Sequence, residues 1–523
     1  MSRMTEELIF YGDDVKIGRF PEDTRFIYPN PPIPPAAPAA AMIAQALDHP
    51  VGTEPLESRV NSRSRVTIAF DDLCLPVPLM RNDIRGQVIK HLLARLTKAG
   101  VKSENIRLIC AVGLHRKWTM DELAIALGKK VIHAVGASAI SNHDATDPDR
   151  LIRIGQTPEG MPVEVNRAID ESDITIYVNI NFTTMNGGWK SIMVGLGAFD
   201  SIRCHHTPRE WNGVDSIMDP DHSPMHRILS AMGQVVREKY DIFQIETVVN
   251  NNLWPSSMAG LLSPYRGKTP NLAGKAATRS LFAMSAASPG GIKRFVRNRI
   301  RANYQLIGVR AGDVDQVHPG TIAQVKSQQN VAVAEPVDIL IFGVPNLSPY
   351  SALSVFNPIL LRSVVLGYMR GLYAGRPLVR TNGVIIACNP GIEKFHPIHH
   401  PSYVDFWNRH LPDFHDPEAC WEQLADVYAE DKTYLDKYRN RFAYHGTHAL
   451  INWFWSGMAL RQVRGVILAG ARQPETARKI GFVPAKDLDA AIAMAREMTT
   501  PHATIGYPVM PPLFGVAVGD GQA

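Results

Sequence analysis

The strongest constraint on this chain is an alternation of two hydrophobic periods. RVTIAF from Arg65, IRLICAVG from Ile106 and DITIYVNI from Asp173 are near-continuous apolar runs. Between the first two, Ile84, Val88, Leu92 and Leu96 recur every fourth residue and stop near Gly100. WTMDELAIALG repeats the helical pattern, and VIHAVG and a turn-rich stretch carry the rhythm on to DITIYVNI. Strands that read as unbroken apolar runs are buried on both faces, so this rhythm predicts a largely parallel sheet with helices on each side. A second set follows: VDILIFGVP, NPILLRSVVLGYMRGL, NGVIIACNPG, RGVILAG and a last strand-like ATIGYPVM. The expected architecture is two α/β domains with mainly parallel sheets facing each other across a cleft. Their boundary is placed near residue 330, giving residues 1–330 and 331–523. A basic helical stretch, residues 253–303, interrupts the first domain; KTPNLAGKAATRSLF and IKRFVRNRIRANY carry several Arg and Lys with no matching acid. It reads as a solvated basic helix, with a lid, a partner-binding insert or a phosphate-attracting patch as alternatives.

Composition excludes several classes. Apolar residues are 45% and charged residues 20% of the 523, which rules out a disordered, collagenous or coiled-coil chain. A net charge of +5, from 55 basic and 50 acidic residues, is too slight to imply a nucleic-acid partner. The five cysteines are scattered and no CxxC occurs, against a disulfide scaffold or zinc ribbon and in favour of a reducing cytoplasm. MSRMTEELIFYGDD has acids where a signal peptide needs an apolar core. The longest apolar stretch, Ala449 to Leu460, is about half a membrane span. A cytoplasmic protein without a membrane partner is expected, with homo-oligomer formation left open. Six prolines between Pro29 and Pro38 exclude a helix there and predict an extended arm.

In open α/β sheets ligands bind beyond the carboxyl ends of the strands. Asp71 and Asp72 follow the first run, Gly113-Leu114-His115-Arg116 the second, and NFTTMNGGWKS the third, with Gly187, Gly188 and Lys190. A carboxylate, a histidine and a lysine would thus converge on one rim. A histidine after a strand is more often structural; three groups together favour a site. NGGWKS is not a P-loop, because Trp189 parts the glycines from Lys190 and Thr183 stands five residues before Gly188. A Gly-Gly turn can still bring backbone N–H groups close to a phosphate, with Thr183 and Thr184 as hydroxyl donors. Sixteen positions beyond Lys190 comes His206, next to His205 and four before Glu210. Imidazole suits Ni, Cu or Zn, although spacing alone leaves a metal there the less favoured reading. His396, His399 and His400 in FHPIHHP read as a surface turn, and His445 and His448 share that default.

These motifs together resemble the lactate racemase family, whose cofactor is a nickel-pincer nucleotide. The resemblance runs from about Ile43 to Val518, broken after Leu253. It is carried by FDDLCLPVP, GLHR, NHDATDPD with IGQTPEGMPVEVNR, NGGWKS, the histidine at 206 and NGVIIACNPG. It implies an isomerase whose nucleotide is tethered through a thioamide to Lys190, with His206 as the protein ligand on nickel. His115 would be a general acid–base, with Asp72 beside it in the cofactor pocket. Gly187, Gly188 and Thr184 would line the cofactor. A small hydroxyl substrate would lose its hydroxyl proton to a histidine and its carbon-bound hydrogen as hydride. Cofactor-making enzymes would be transient partners.

Three departures modify that expectation. The second histidine, about ten residues before the tethering lysine in the family, is replaced by Asn179-Ile180-Asn181. The arginine expected three residues after Asp72 is Leu75. The family's tyrosine-and-lysine substrate motif is Val317-His318-Pro319-Gly320-Thr321, without lysine. Both carboxylate-binding cations are therefore missing, and an apolar Leu cannot replace a bidentate Arg. The expectation is a racemase or epimerase acting on a 2-hydroxy acid or related alcohol other than lactate, with His318 as candidate second base. A one-face hydride-transfer enzyme on the same cofactor, or a non-catalytic binding protein on the scaffold, are the alternatives.

Overall fold

The computed structural model of the chain describes residues 4–211, 216–254, 272–411 and 416–519. Its largest elements are two six-stranded sheets. In spatial order the first holds Leu306–Gly312, Ile242–Val249, Ile174–Asn181, Val66–Asp71, Ile106–Ala111 and Ile140–Asn142. Every neighbouring pair is parallel except the edge pair Ile242–Val249 with Leu306–Gly312. The chain starts in the middle, moves outward on one side, then returns to the other. The switch falls between Val66–Asp71 and Ile174–Asn181, the place where α/β sheets open a ligand crevice.

The sequence signals act locally as expected. In Ile84–Lys98 the side chain of Asp83 caps the helix by accepting from the Arg85 N–H at 3.0 Å, and Arg95 and Lys98 occupy the last turn. Ile84, Val88, Leu92 and Leu96 are all buried. Each contributes roughly 1.5–3 kcal/mol by leaving water, so a charge at Leu92 would expel this helix from the sheet. In Met120–Val135, Thr119 and Glu122 form a reciprocal cap, and Gly128 takes a positive φ of 75° that kinks the helix. VIHAVG is therefore the second arm of this helix, not a strand; its apolar spacing faces the sheet from outside. The adjoining strand is Ile140–Asn142, and the turn-rich stretch contains an antiparallel pair, Leu151–Gln156 with Pro162–Asn166.

The second sheet is parallel throughout, in the order Val483–Ala485, Gly465–Ala469, Val379–Cys388, Val337–Gly343, Ile505–Pro508 and Arg25–Ile27. Its edge strand thus comes from the start of the chain. The hairpin Met4–Tyr11 with Asp14–Pro21 also packs here, through Ile9, Tyr11 and Phe20 against Ile339, Ile386 and Ile467. Residues 4–27 accordingly sit with the elements that follow residue 330.

The basic insert is described from residue 272, as helices Leu272–Ala287 and Gly290–Arg299; residues 255–271 lie outside the described part. Its cations are not merely solvated. Lys293 pairs with Asp14 at 2.7 Å, Arg297 with Asp13 at 2.7 Å and Arg279 with Glu6 at 2.9 Å. The acids absent from the insert come from the N-terminal hairpin, nearly 300 residues earlier. Among the described residues no helix is long and apolar enough to cross a membrane. The stretch Ala449 to Leu460 belongs to the interior helix His448–Leu460, buried along almost its whole length.

Candidate functional site

The carboxyl ends of the central strands open into a pocket with two adjoining lobes that share Cys74, Leu75, His115, Lys190 and Val194. One lobe runs along the first sheet and includes Asp71, Asp72, Gly113, Asn179, Asn186 and Gly187. The other is walled by Ile202, His206 and Trp211 on one side and by Tyr350, Tyr368, His448, Ile451 and Trp455 on the other.

Strand register explains the first wall. Val66–Asp71 pairs in parallel with Ile106–Ala111, aligning Asp71 with Ala111, so Asp72 and the turn carrying His115 emerge side by side. Asp72 Oδ2 meets His115 Nδ1 at 2.8 Å, and Asp72 Oδ1 accepts the Cys74 N–H. Burial alone would raise the Asp72 pKa; the charge and hydrogen bond of His115, with the Cys74 N–H, outweigh it and hold the carboxyl below its ordinary value. An ionised Asp72 draws the imidazole proton to Nδ1 and leaves Nε2 as the reactive nitrogen. Asp71 faces the other way. It accepts from Tyr177 Oη at 2.9 Å, Asn179 Nδ2 at 2.7 Å and the Ile180 N–H at 2.8 Å. Burial raises its pKa to about 6 against those bonds and the nearby Lys190 charge. Asn179, which stands in the region of the missing second base, is therefore occupied in fastening Asp71.

Lys190 is held by its neighbours. Gly187 and Gly188 take positive φ values of 91° and 56°, turning the chain into the helix Trp189–Gly195. Trp189 locks that turn: its Nε1–H donates to Asp315 Oδ1 at 2.7 Å, and its ring packs so closely on Gly233 that a Cβ there would lie 2.2 Å from it. Lys190 Nζ makes no hydrogen bond or ion pair to the described residues, and it borders both lobes. Burial lowers its pKa against the pull of Asp71, Cys74 and Asp72, which makes the neutral, nucleophilic amine more accessible.

His206 ends the helix Phe199–His205 and lies against Trp211, ring centroids 5.3 Å apart. Its Nδ1 is 2.7 Å from Nδ1 of His205, so Nε2 is the nitrogen left to take a metal. Burial, then the neighbouring His205 and Lys190, push its pKa well below the ordinary value and keep it in the neutral form that metals bind. Asp72, Cys74 and His115 also place one potential ligand atom each within 4.8 Å of one another. Burial pushes the Cys74 thiol up, and the Asp72–His115 hydrogen bond uses two of the three groups, so the trio reads as an acid–base dyad beside a thiol.

Other expected residues lie elsewhere. Gly188 is not among the pocket-lining residues, and its N–H donates to Glu246 Oε1 at 2.6 Å instead of being free for a phosphate. The space its missing side chain would fill holds the His318 ring. Thr184 Oγ1 donates to the Met218 carbonyl at 2.5 Å and faces a separate groove with Asp219 and Phe514. His318 is in the helix Val314–Gln329, behind the Gly-Gly turn, with Nδ1 3.0 Å from Glu246 Oε1. It does not line the pocket. Thr321 is buried in the same helix, its hydroxyl donating to the Val317 carbonyl at 3.2 Å.

Of the histidines the sequence left in bland turns, His448 lines the opposite wall. His445 and His448 are 1% and 3% exposed, and His399 and His400 9% and 0%. The FHPIHHP segment is a turn whose Pro397 and Ile398 are exposed, as a surface turn requires, while its last two histidines point inward: Ser354 Oγ meets His399 Nδ1 at 2.8 Å, and His400 stacks on Tyr444. His448, Ile451 and Trp455 share one face of their helix, at the spacing that brings residues into line. Tyr368 reaches the pocket from a widened turn, Val364–Met369. The His448 ring lies 5.3 Å from that of His115.

The mainly parallel α/β fold thus brings a carboxylate–imidazole dyad, a lysine without a partner among the described residues and a buried histidine onto one strand-end pocket. The model of the lactate racemase N-terminal domain family matches residues 11–212. The lactate racemase of Lactiplantibacillus plantarum is 27% identical over 169 residues, covering 32% of this chain and 38% of that protein. That of Thermoanaerobacterium thermosaccharolyticum is 25% identical over 196 residues, covering 36% and 42%. The aligned part is thus about two fifths of those relatives' length. The structure of the lactate racemase apoprotein from T. thermosaccharolyticum superposes with a TM-score of 0.64 at 18% identity, covering 98% of this chain and all of that one. The likeness to the lactate racemase family is therefore shown in sequence for the N-terminal domain and in fold for nearly the whole chain.

Proposed function

We propose that this protein is a racemase or epimerase that inverts a hydroxyl-bearing carbon, using a nickel-pincer nucleotide anchored on Lys190. The observation that carries the reading is that Lys190, His206 and the Asp72–His115 dyad border one pocket. The donor set fits the group: a buried amine without a partner for the tether, and a neutral imidazole for the metal. The phosphate end is not served by the Gly188 N–H or the Thr184 hydroxyl, both already committed. When bound, the cofactor supplies a reversible hydride acceptor. The chain's own part is to orient the substrate, exclude water with its aromatic wall and move the hydroxyl proton at His115 Nε2, whose partner Asp72 steadies the imidazolium.

The substrate we propose is a 2-hydroxy acid or related alcohol other than lactate. Leu75 stands on the pocket wall, and Lys190 is the sole Lys or Arg among the described residues lining either lobe. The absence of a base at Asn179 to Asn181 favours a second reading, hydride transfer at one face without inversion. Co-expression with the cofactor-making enzymes, followed by intact-mass and nickel analysis, tests the anchor. No adduct on Lys190 would end the proposal. Stereochemical scrambling of substrate by loaded protein separates inversion from one-face transfer.

A further inference from the structure

We infer that His448 is the second substrate-contacting imidazole, and that it works as a neutral N–H donor holding the oxygen of an uncharged, aryl- or alkyl-bearing secondary alcohol against His115. The inference rests on the reading above and, of its two substrate classes, takes the alcohol and excludes the 2-hydroxy acid.

The argument begins with Asn452. Its Nδ2 lies 3.0 Å from the His448 carbonyl oxygen, which can only accept, so the amide orientation is settled. The same Nδ2 donates to Tyr403 Oη at 3.1 Å. With that lone pair taken, the Tyr403 O–H is free to donate, and the acceptor within reach is His448 Nδ1 at 2.7 Å. The opposite assignment would leave a buried phenol O–H without an acceptor, a costly arrangement. His448 Nδ1 is therefore an acceptor and Nε2 carries the proton. The ring also opens the helix His448–Leu460, where the positive end of the helix dipole disfavours an imidazolium. Desolvation acts in the same direction, followed by the nearby His115.

His115 is arranged in the complementary sense: Nδ1 donates to Asp72, and Nε2 is bare. The two rings stand nearly perpendicular, at 83°, with centroids 5.3 Å apart on one lobe, and the proposed substrate oxygen sits between their Nε2 atoms. The substrate O–H donates to His115 Nε2 while its oxygen accepts from His448 Nε2–H. As the O–H bond breaks and the proton passes to His115, the electron pair stays on the oxygen, and the His448 N–H meets the growing negative charge. A neutral donor suits this role, because it stabilises that charge without competing for the proton.

The remaining wall excludes a charged body. Leu75, Trp211, Tyr350 and Trp455 line the same lobe, and the one lining Lys or Arg, Lys190, would lose its charge on tethering. A carboxylate would be desolvated there without a counter-ion.

The test uses full-length apoprotein carrying Lys190→Met, which removes the lining cation as tethering does, with 1-phenylethanol and mandelate as probes together with ¹⁵N-histidine NMR; loading is read on the unmutated chain. The His448 resonances, assigned by their loss in His448→Gln, should show a neutral ring protonated at Nε2 at pH 7. 1-Phenylethanol should bind at least about tenfold more tightly than mandelate. His448→Phe should weaken the alcohol about tenfold, while His448→Gln, which keeps a donor, stays within about threefold. An Nδ1-protonated or charged ring, equal binding of mandelate, or unchanged alcohol binding in His448→Phe would overturn the inference. If His448→Phe does not fold, the tautomer and the probe comparison still decide. Loading of Lys190 is read separately by intact mass. Absent loading with this binding pattern intact strikes only the proposed function; normal loading without the pattern strikes only this inference.

Discussion

Asp72 Oδ2 lies 2.8 Å from His115 Nδ1, at the adjacent ends of two parallel strands. The carboxylate is 2% exposed at the side chain while the imidazole is 25% exposed, so the pair is buried at its fixed end and open at its working end. Asp72→Asn keeps the volume but removes the charge that sets the His115 tautomer. Turnover should fall by a factor of about 10² or more, the low end of what a positioned acid–base group supplies. The Lys190 adduct should be unaffected, as intact mass will read. Full turnover in Asp72→Asn would show that the dyad is only structural.

Tether and metal ligand are separate bonds and should fail separately. Lys190→Ala should abolish the nucleotide adduct. His206→Ala should leave the adduct and lower nickel content, since loss of one ligand weakens a metal without releasing the nucleotide. Because burial lowers the Lys190 pKa, its neutral amine appears at lower pH than that of an ordinary lysine. In the apoprotein near pH 8, a small amine-directed reagent should mark Lys190 ahead of exposed lysines of ordinary pKa near 10.4. Peptide mass mapping after partial labelling gives the order. Modification of Lys190 last would contradict its assignment as a reactive amine.

The Gly-Gly turn gives a prediction about backbone. A Cβ on Gly187 would stand 2.5 Å from Asn181 Oδ1 and 2.6 Å from Glu246 Oε1, at a φ of +91°. Both obstacles belong to buried polar groups that cannot swing away cheaply. Gly187→Ala should cost about 1–3 kcal/mol of strain, lowering the unfolding temperature, and should impair adduct formation by shifting Lys190 three residues on. Wild-type loading together with wild-type thermal stability would show that the turn has room.

Much of this site was legible because strand ends announce themselves. The runs ending at Phe70, Val112 and Ile180 are apolar and largely buried, so the sequence alone puts Asp72, His115 and Lys190 on one rim. The strand Ile242–Val249 was missed because buried Gln244, Glu246 and Thr247 break the apolar signal, and Leu306–Gly312 because Gly308, Arg310 and Gly312 break it. VIHAVG misled because Gly128 splits one helix into two short arms, and a short run that is apolar or small apart from His133 looks like a strand. His448 escaped for a different reason. Its contact with His115 spans more than 300 residues of chain, and nothing in YHGTH says that a helix begins there or which way it faces.

Glu246 and His318 allow the last prediction. Glu246 is fully buried, accepts the Gly188 N–H at 2.6 Å and pairs with His318 Nδ1 at 3.0 Å. Burial would raise the Glu246 pKa and lower that of His318; in each case the partner's charge and hydrogen bond prevail, so Glu246 is lowered and His318 raised. A raised imidazole gives its full stabilisation below its unfolded value of about 6.5 and loses it as pH climbs through the folded value. A lowered carboxyl gives its share above about 4.3 and loses it as pH falls through the folded value. The pair therefore stabilises most between about pH 4.3 and 6.5 and weakens on either side. Glu246→Gln, which leaves His318 without its counter-charge, should cost about 3–5 kcal/mol inside that window. The gap in unfolding temperature from wild type should narrow above neutral pH. A gap that stays constant from about pH 5 to about 9 would show that the pair is not ionic. His318→Ala completes the comparison: a structural partner behind the Gly-Gly turn predicts a lower unfolding temperature with impaired loading, whereas a second acid–base group predicts normal stability and loading with turnover reduced by about 10² or more.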